Sequence, residues 1–218
     1  MITTDHSALI KCEDDCIIWR YIDLEKFELL LRENALFLCR SDKFSDPFEG
    51  SIPKRESEHR AKTHRQRMTE EKAILMDRVF ADNHQKSKKA FIVNCWNIST
   101  NESDAMWRLY LKTNEGVAIQ SSYKRLYESL TLNEEELLMS MVRYINYETD
   151  VWYHPTEYPN TNYNFYVPLV HKRVEFIHEN ELRVFHEVKD ATNDIRYWDK
   201  QINQFGKNIP CKISVFNR

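Results

Sequence analysis

Glycine is nearly missing from this chain: three in 218 residues, beside six prolines. A phosphate-binding loop or a paired-glycine dinucleotide fingerprint needs glycine wherever backbone amides approach a phosphate, so both are excluded. No HExxH helix and no serine elbow is present either. Any nucleotide would have to be held by side chains. No run approaches the roughly 20 apolar residues that cross a bilayer, and MITTDHSALIKCEDD has no basic segment followed by an apolar one. No membrane association is expected, and the expected compartment is the cytoplasm. The five cysteines, Cys12, Cys16, Cys39, Cys95 and Cys211, are odd in number and scattered. That argues against a disulfide framework and for a reducing compartment. Only Cys12 and Cys16 lie close together, and no second short-spaced pair of Cys or His accompanies them, so no metal site is expected.

What is present is a soluble globular balance, 42% hydrophobic, 12% aromatic and 30% charged. The length suits one domain, 1–218. The net charge of −3 hides an asymmetry: residues 54–89 hold eleven Lys or Arg and six Asp or Glu, which makes that stretch +5 and the remainder −8. The stretch is a candidate contact for an acidic partner, a nucleic acid or a protein target. The plainer reading is a solvated helix with opposite charges interleaved.

CIIWRYI reads as a strand, Asp23 as an N-cap, and LEKFELLLREN as a helix burying Leu24, Phe27, Leu30 and Leu31. ALFLCRS is a second strand, so the chain opens β-α-β. Residues 53–90 form a charged helical insertion with a weak apolar stripe at Met68, Ile74, Leu75, Val79 and Phe80. AFIVNCWN is a strand, DAMWRLYLKTNE a helix stopping at Gly116, GVAIQSS a strand, YKRLYESL a helix and MVRYINY a strand. Residues 148–166 read as a long tyrosine-rich loop. VPLVHKRVEF opens a helix at Pro168, ELRVFHEV is a late strand and NIPCKISVF the last. The fold class expected is α+β: a mixed, mostly antiparallel sheet with flanking helices and a long charged helical excursion.

Candidate site residues are polar groups on or beside strands. Arg20, between Trp19 and Tyr21, is able to pair with a phosphate through parallel hydrogen bonds, or simply to reach solvent. Alternation puts Glu181 and Arg183 on one face of ELRVF, where they also suit a plain charge pair. Met106, Trp107 and Tyr110 form a helix stripe, which is either a stacking platform or core. In DKFSDPFEGS, Pro47 and Gly50 mark a turn.

The series IWRYIDLEKFELLLRENALFLCRSDKFSDPFEG, then CWN and AMWRLY followed by GVAI, then HKRVEF and ENELRVF, resembles an uncharacterised prokaryotic family, the domain of unknown function 2971. The resemblance runs from about Cys16 to Ser214 in the family's order of motifs. Ser45 stands where the family has Asn before DPFE, and Phe176 where it has Trp. Relative to the family, the end at Arg218 implies a shortened C-terminus. The resemblance implies that Asp46, Pro47, Phe48 and Glu49 form a structural lip beside a site. There Phe44 and Phe48 would anchor the turn in the core, Asp46 would cap the backbone, and Glu49 would pair with a cation such as Arg20.

A second similarity, carried by three single residues, is to ADP-ribosyltransferases, which set such groups around a split sheet. It implies Arg20, Ser41 and Glu181 as catalytic residues and NAD as substrate. Arg20, Trp107, Tyr110 and Arg183 would then be the cofactor-binding set, in a phage-defence or toxin system. The readings to separate are an NAD-consuming transferase, a non-catalytic binding module, and a hydrolase using Asp42, Asp46 and Glu49.

Overall fold

The structure, a computed structural model, describes residues 2–4, 6, 8–111, 115–131, 133–152, 166–194 and 196–213. A short β1 (Ile2–Thr3) precedes β2 (Ile17–Asp23), α1 (Leu24–Glu33) and β3 (Ala35–Arg40). The lip segment then leads into α2 (Lys54–Arg67) and α3 (Glu70–Ala90). Next come β4 (Phe91–Ile98), α4 (Asp104–Tyr110), β5 (Gly116–Ser122), α5 (Tyr123–Leu130), β6 (Leu137–Met141) and β7 (Arg143–Ile145). The chain closes with β8 (His171–Arg173), β9 (Glu181–Glu187), α6 (Lys189–Asn193) and β10 (Gly206–Pro210).

The fold is α+β, with an eight-stranded, mostly antiparallel sheet flanked by helices. The order β1-β6-β9-β4-β2-β5 is antiparallel except for β1 on β6. Strand β9 pairs with β4 along its whole length, from Phe91↔Glu187 to Asn97↔Glu181. The opposite edge of β4 is shared. Its end pairs with β2 at Ile18↔Ile98 and Trp19↔Asn97, and its start pairs with β3 at Cys39↔Val93 and Arg40↔Ile92. Between those two contacts β2 and β3 diverge, so the sheet forks beside residues 94–96. Strand β10 pairs with β3 on the far side of the fork.

Both faces of the sheet are covered, which is why FIVNCWNI reads as a continuous apolar run rather than an alternation. Ile92 and Trp96 join Leu38, Leu182, Val184 and the apolar face of α5 in one core cluster. Phe91 and Val93 join Phe185, Leu169 and Val170 in the other.

Several elements differ from expectation. Helix α1 buries no residue, and Leu24 and Leu31 are exposed; lying along the β5 edge, its stripe instead rims an open groove of about 690 Å³. The Asp23 side chain does not cap α1 but accepts from Lys26 at 2.9 Å. The weak stripe of α3 is exposed at Ile74, Leu75 and Val79, and its buried side consists of Ala73, His84, Ser87 and Ala90. The reason is that α2 and α3 clasp each other through polar groups, His64 with Asp77 at 2.7 Å and Arg60 over the Phe80 ring at 3.5 Å. Helix α4 ends at Tyr110, and Gly116 is the first residue of β5 rather than a helix C-cap. MVRYINY divides between β6 and β7, and the segment opened by Pro168 is 3₁₀ helix followed by β8. Cys12 and Cys16 are joined in a disulfide, because a turn closed by Cys16 N–H on the Glu13 carbonyl brings them together. The tyrosine-rich loop lies mostly outside the described residues. Among those that are described, no helix is long and apolar enough to cross a membrane.

Gly206 tests the fork's outer arm. A Cβ there would meet the Leu38 carbonyl oxygen at 2.0 Å, a backbone atom that cannot swing aside. Gly206→Ala is expected to force β10 off β3 and lower stability by about 1–3 kcal/mol in denaturant titration. An unchanged midpoint would count against this packing.

Candidate functional site: the cleft at the sheet fork

Where β2 and β3 part from β4, a cleft of about 260 Å³ opens, walled by Trp19, Arg20, Tyr21, Phe44, Asn94, Cys95, Asn97 and Tyr110 among others. The fork makes the cleft, since the edge groups of β4 at 94–96 face no strand. Arg20 reaches into this gap, and its Nη1 donates to the Cys95 carbonyl at 2.7 Å. Among the described residues no carboxylate pairs with Arg20. Burial pushes its pKa down from the ordinary value, opposed only by the nearby Cys95, Tyr110 and Cys39. A half-buried guanidinium that lines the cleft and lacks a carboxylate partner is the strongest chemical signal among the described residues.

Aromatic side chains border the same space. Trp19 and Tyr21 stack at 6.5 Å, and Trp107 meets Tyr21 edge-on at 5.2 Å. The Tyr21 hydroxyl accepts from Ser103 N–H at 2.8 Å, which fixes the start of α4. Asn94 Nδ2 donates to the Phe37 carbonyl and Asn97 Nδ2 to the Glu179 carbonyl, at 2.9 and 2.8 Å. Because a carbonyl only accepts, the amide orientations are settled, and both buried Oδ1 atoms are left without a protein donor.

Behind the wall lies a buried charge cluster. Arg183 Nε donates to Glu181 at 2.7 Å, and its Nη1 donates to Glu49 at 2.6 Å and to the Leu169 carbonyl at 2.7 Å. Lys172 Nζ donates to Glu181 at 2.7 Å and to Glu179 at 2.9 Å. Three carboxylates thus face two cations, and Arg183, Glu181 and Glu49 are 0%, 2% and 3% exposed. Burial works to raise the Glu181 pKa, but Arg183 and then Lys172 outweigh it and hold the carboxyl well below the usual range. Glu179 goes the other way: burial, then the Glu181 charge, raise it. Its Oε2 accepts from the Tyr110 hydroxyl at 2.9 Å, so Tyr110 joins the cleft to the cluster.

The expected residues are therefore distributed over three layers. Arg20 and Tyr110 line the cleft. Trp107 stands behind Tyr21. Glu181 and Arg183 lie in the buried cluster, so Arg183 is not free to touch a cofactor. Ser41 is elsewhere, 2% exposed, with its hydroxyl donated to the Lys88 carbonyl at 2.6 Å. The lip is structural in detail: Asp46 caps Phe48 N–H at 3.0 Å and pairs with Arg173 at 2.8 Å. Glu49 takes Arg183 and not Arg20 as its cation, because it points to the β9 side of the sheet. Phe48 does not anchor in the core. It is 52% exposed and lies under the Arg173 guanidinium at 4.6 Å. The carboxylates of the hydrolase reading do not converge, since Asp42, Asp46 and Glu49 each meet a different arginine, Arg40, Arg173 and Arg183. Sequence reasoning missed Lys172, Glu179, Asn94 and Asn97. Both Lys172 and Glu179 fall inside the HKRVEF and ENELRVF motifs; strand alternation does not reach Glu179, which ends a 3₁₀ helix and is cut off from β9 by Asn180 at φ 37°.

Comparison with protein-family models, curated proteins and solved structures finds no match to this chain.

Two predictions follow from the charges. Glu49→Ala leaves Arg183 with an unpaired buried edge and should cost about 3–5 kcal/mol of unfolding free energy; a loss under about 1 kcal/mol would mean that the lip does not close on the cluster. The second concerns His84, which donates to the Gly50 carbonyl at 2.7 Å, and His171, which donates to the Val167 carbonyl at 2.8 Å. Burial lowers each pKa from 6.5 to about 4. Their folded forms resist protonation, so their contribution is full above pH 6.5 and is lost as pH falls towards 4. Up to about 3 kcal/mol each is expected over that window, and His171→Gln should flatten the slope of stability against pH.

Proposed function

We propose that the chain is an NAD-consuming, ADP-ribosyltransferase-like enzyme of a prokaryotic defence or toxin system. The observation that carries this is Arg20, a cleft guanidinium without a carboxylate, set in a forked sheet beside aromatic side chains. A cleft of about 260 Å³ takes one end of a dinucleotide rather than the whole. Arg20 binds a phosphate through its remaining N–H groups, and Tyr110 borders the same cleft as a ring for a planar group.

The proposed reaction breaks the bond from ribose C1′ to the nicotinamide nitrogen. The bonding pair leaves with nicotinamide and neutralises its ring, and a target nucleophile then supplies the pair that closes the new bond at C1′. In between, C1′ carries positive charge. The cluster behind Tyr110, with three carboxylates against two cations, is preorganised to favour it. Glu179 meets the cleft through Tyr110 and Glu181 through Cys95, and Glu181 also holds Lys172 and Arg183 in place. The target, a nucleic acid or a protein, is met through the basic helical stretch 54–89. A second reading, a binding module without catalysis, is favoured by one fact: both Glu181 oxygens already accept from cations.

Tryptophan fluorescence with NAD and an assay of nicotinamide release separate these readings. Wild type should bind and release nicotinamide. Arg20→Gln should weaken NAD binding at least tenfold, as expected for a lost charged hydrogen bond. Tyr110→Phe should keep binding and slow release by at least tenfold. Binding without release supports the module; no binding at all removes NAD from consideration.

A further inference from the structure

Helix α2 holds α3 through polar groups, but it contributes nothing to the core. In fourteen residues, KRESEHRAKTHRQR, its only apolar side chain is Ala61, and it buries no residue. A helix polar on every side adds nothing to a core and rests on its ion pairs, which leaves its outward surface free to meet a partner. That surface is basic, with six Lys or Arg against Glu56 and Glu58. The inner residues are accounted for. Arg60 pairs with Glu56 and covers Phe80, Arg65 meets Asp77 and Glu70, and Lys54 meets Glu148. Arg55, Lys62 and Arg67 remain. All three are exposed, and no carboxylate pairs with any of them among the described residues. Arg55 and Lys62 share an outward face with His59 and Gln66, with Glu58 between them, and Arg67 projects from a different face.

We infer that α2 docks the phosphate backbone of a nucleic acid, with Arg55, Lys62 and Arg67 as the cations that neutralise phosphates. The inference names the target class of the proposed transferase but stands on α2 alone. Three exposed cations without a carboxylate partner among the described residues, on a helix with six Lys or Arg against two Glu, suit a polyanion better than the mixed charges of a protein surface. The rest of the chain is net negative, so attraction for a polyanion has to be local to this helix.

Fluorescence anisotropy with a labelled DNA duplex, and with an RNA duplex of the same sequence, tests this across a salt series. Binding of either is expected at low salt, weakening linearly in log–log form. The combined variant Arg55→Gln, Lys62→Gln, Arg67→Gln should bind at least tenfold more weakly, with the salt slope shallower by about 3, at about 0.9 per lost phosphate contact. Circular dichroism should be unchanged, because all three side chains are exposed. No binding of either duplex at low salt, an unaltered slope in the variant, or capture by phosphatidylserine vesicles without duplex binding would each overturn the inference. NAD binding by the same variant should match wild type, so failure at the cleft and failure on α2 are read separately.

Discussion

Arg183 is wholly withdrawn from water, and a guanidinium in that position persists only where carboxylates and carbonyls take its hydrogen atoms. Glu181, Glu49 and the Leu169 carbonyl do so, and each ties a different part of the chain to β9. Glu181 brings in Lys172 from β8 and, through it, Glu179. Glu49 brings in the lip. Leu169 brings in the 3₁₀ turn beneath β8. One desolvated cation therefore dictates how the lip, the β7–β8 ribbon and the main sheet meet. Replacing only one member would leave the others as buried charges without partners.

Against that background Arg20 stands out by contrast. Arg40, Arg173 and Arg183 each meet a carboxylate within 3 Å, and Arg20 meets only a backbone carbonyl. Its position follows from topology. Strands β2 and β3 claim opposite ends of one edge of β4, so the middle of that edge has no strand, and the Arg20 side chain crosses the gap. The fork thus creates both an uncovered backbone edge and the space in which an anion would complete it.

The layers of the sheet were legible in the sequence because they rest on local pattern. AFIVNCWN and ELRVF gave strands through apolar runs and alternation, and Glu181 with Arg183 emerged as a same-face pair. What was not legible depends on strand order. Nothing in IWRYI says that β2 pairs with β4 for two residues only, yet that brevity makes the cleft. The partner of Glu49 was misassigned to Arg20 for the same reason: sequence gives a carboxylate near a strand, while only the sheet order decides which cation lies across from it. In the helical insertion the stripe of Ile74, Leu75 and Val79 is weak, and these residues are exposed. Periodicity does not register that α3 turns small and polar residues inward, where His84 and Ser87 serve hydrogen bonds.

Those inward bonds give the insertion a second meaning. The Ser41 hydroxyl reaches the Lys88 carbonyl at the start of the lip, and His84 reaches the Gly50 carbonyl at its end. The lip is therefore held at both ends by the last turns of α3, and its Glu49 is the carboxylate that closes on Arg183. Gly50 sits at φ 64°, a conformation that glycine adopts without strain, and its carbonyl is thereby turned towards the helix. The basic hairpin and the charge cluster are consecutive links of one hydrogen-bonded chain, α3 to lip to β9.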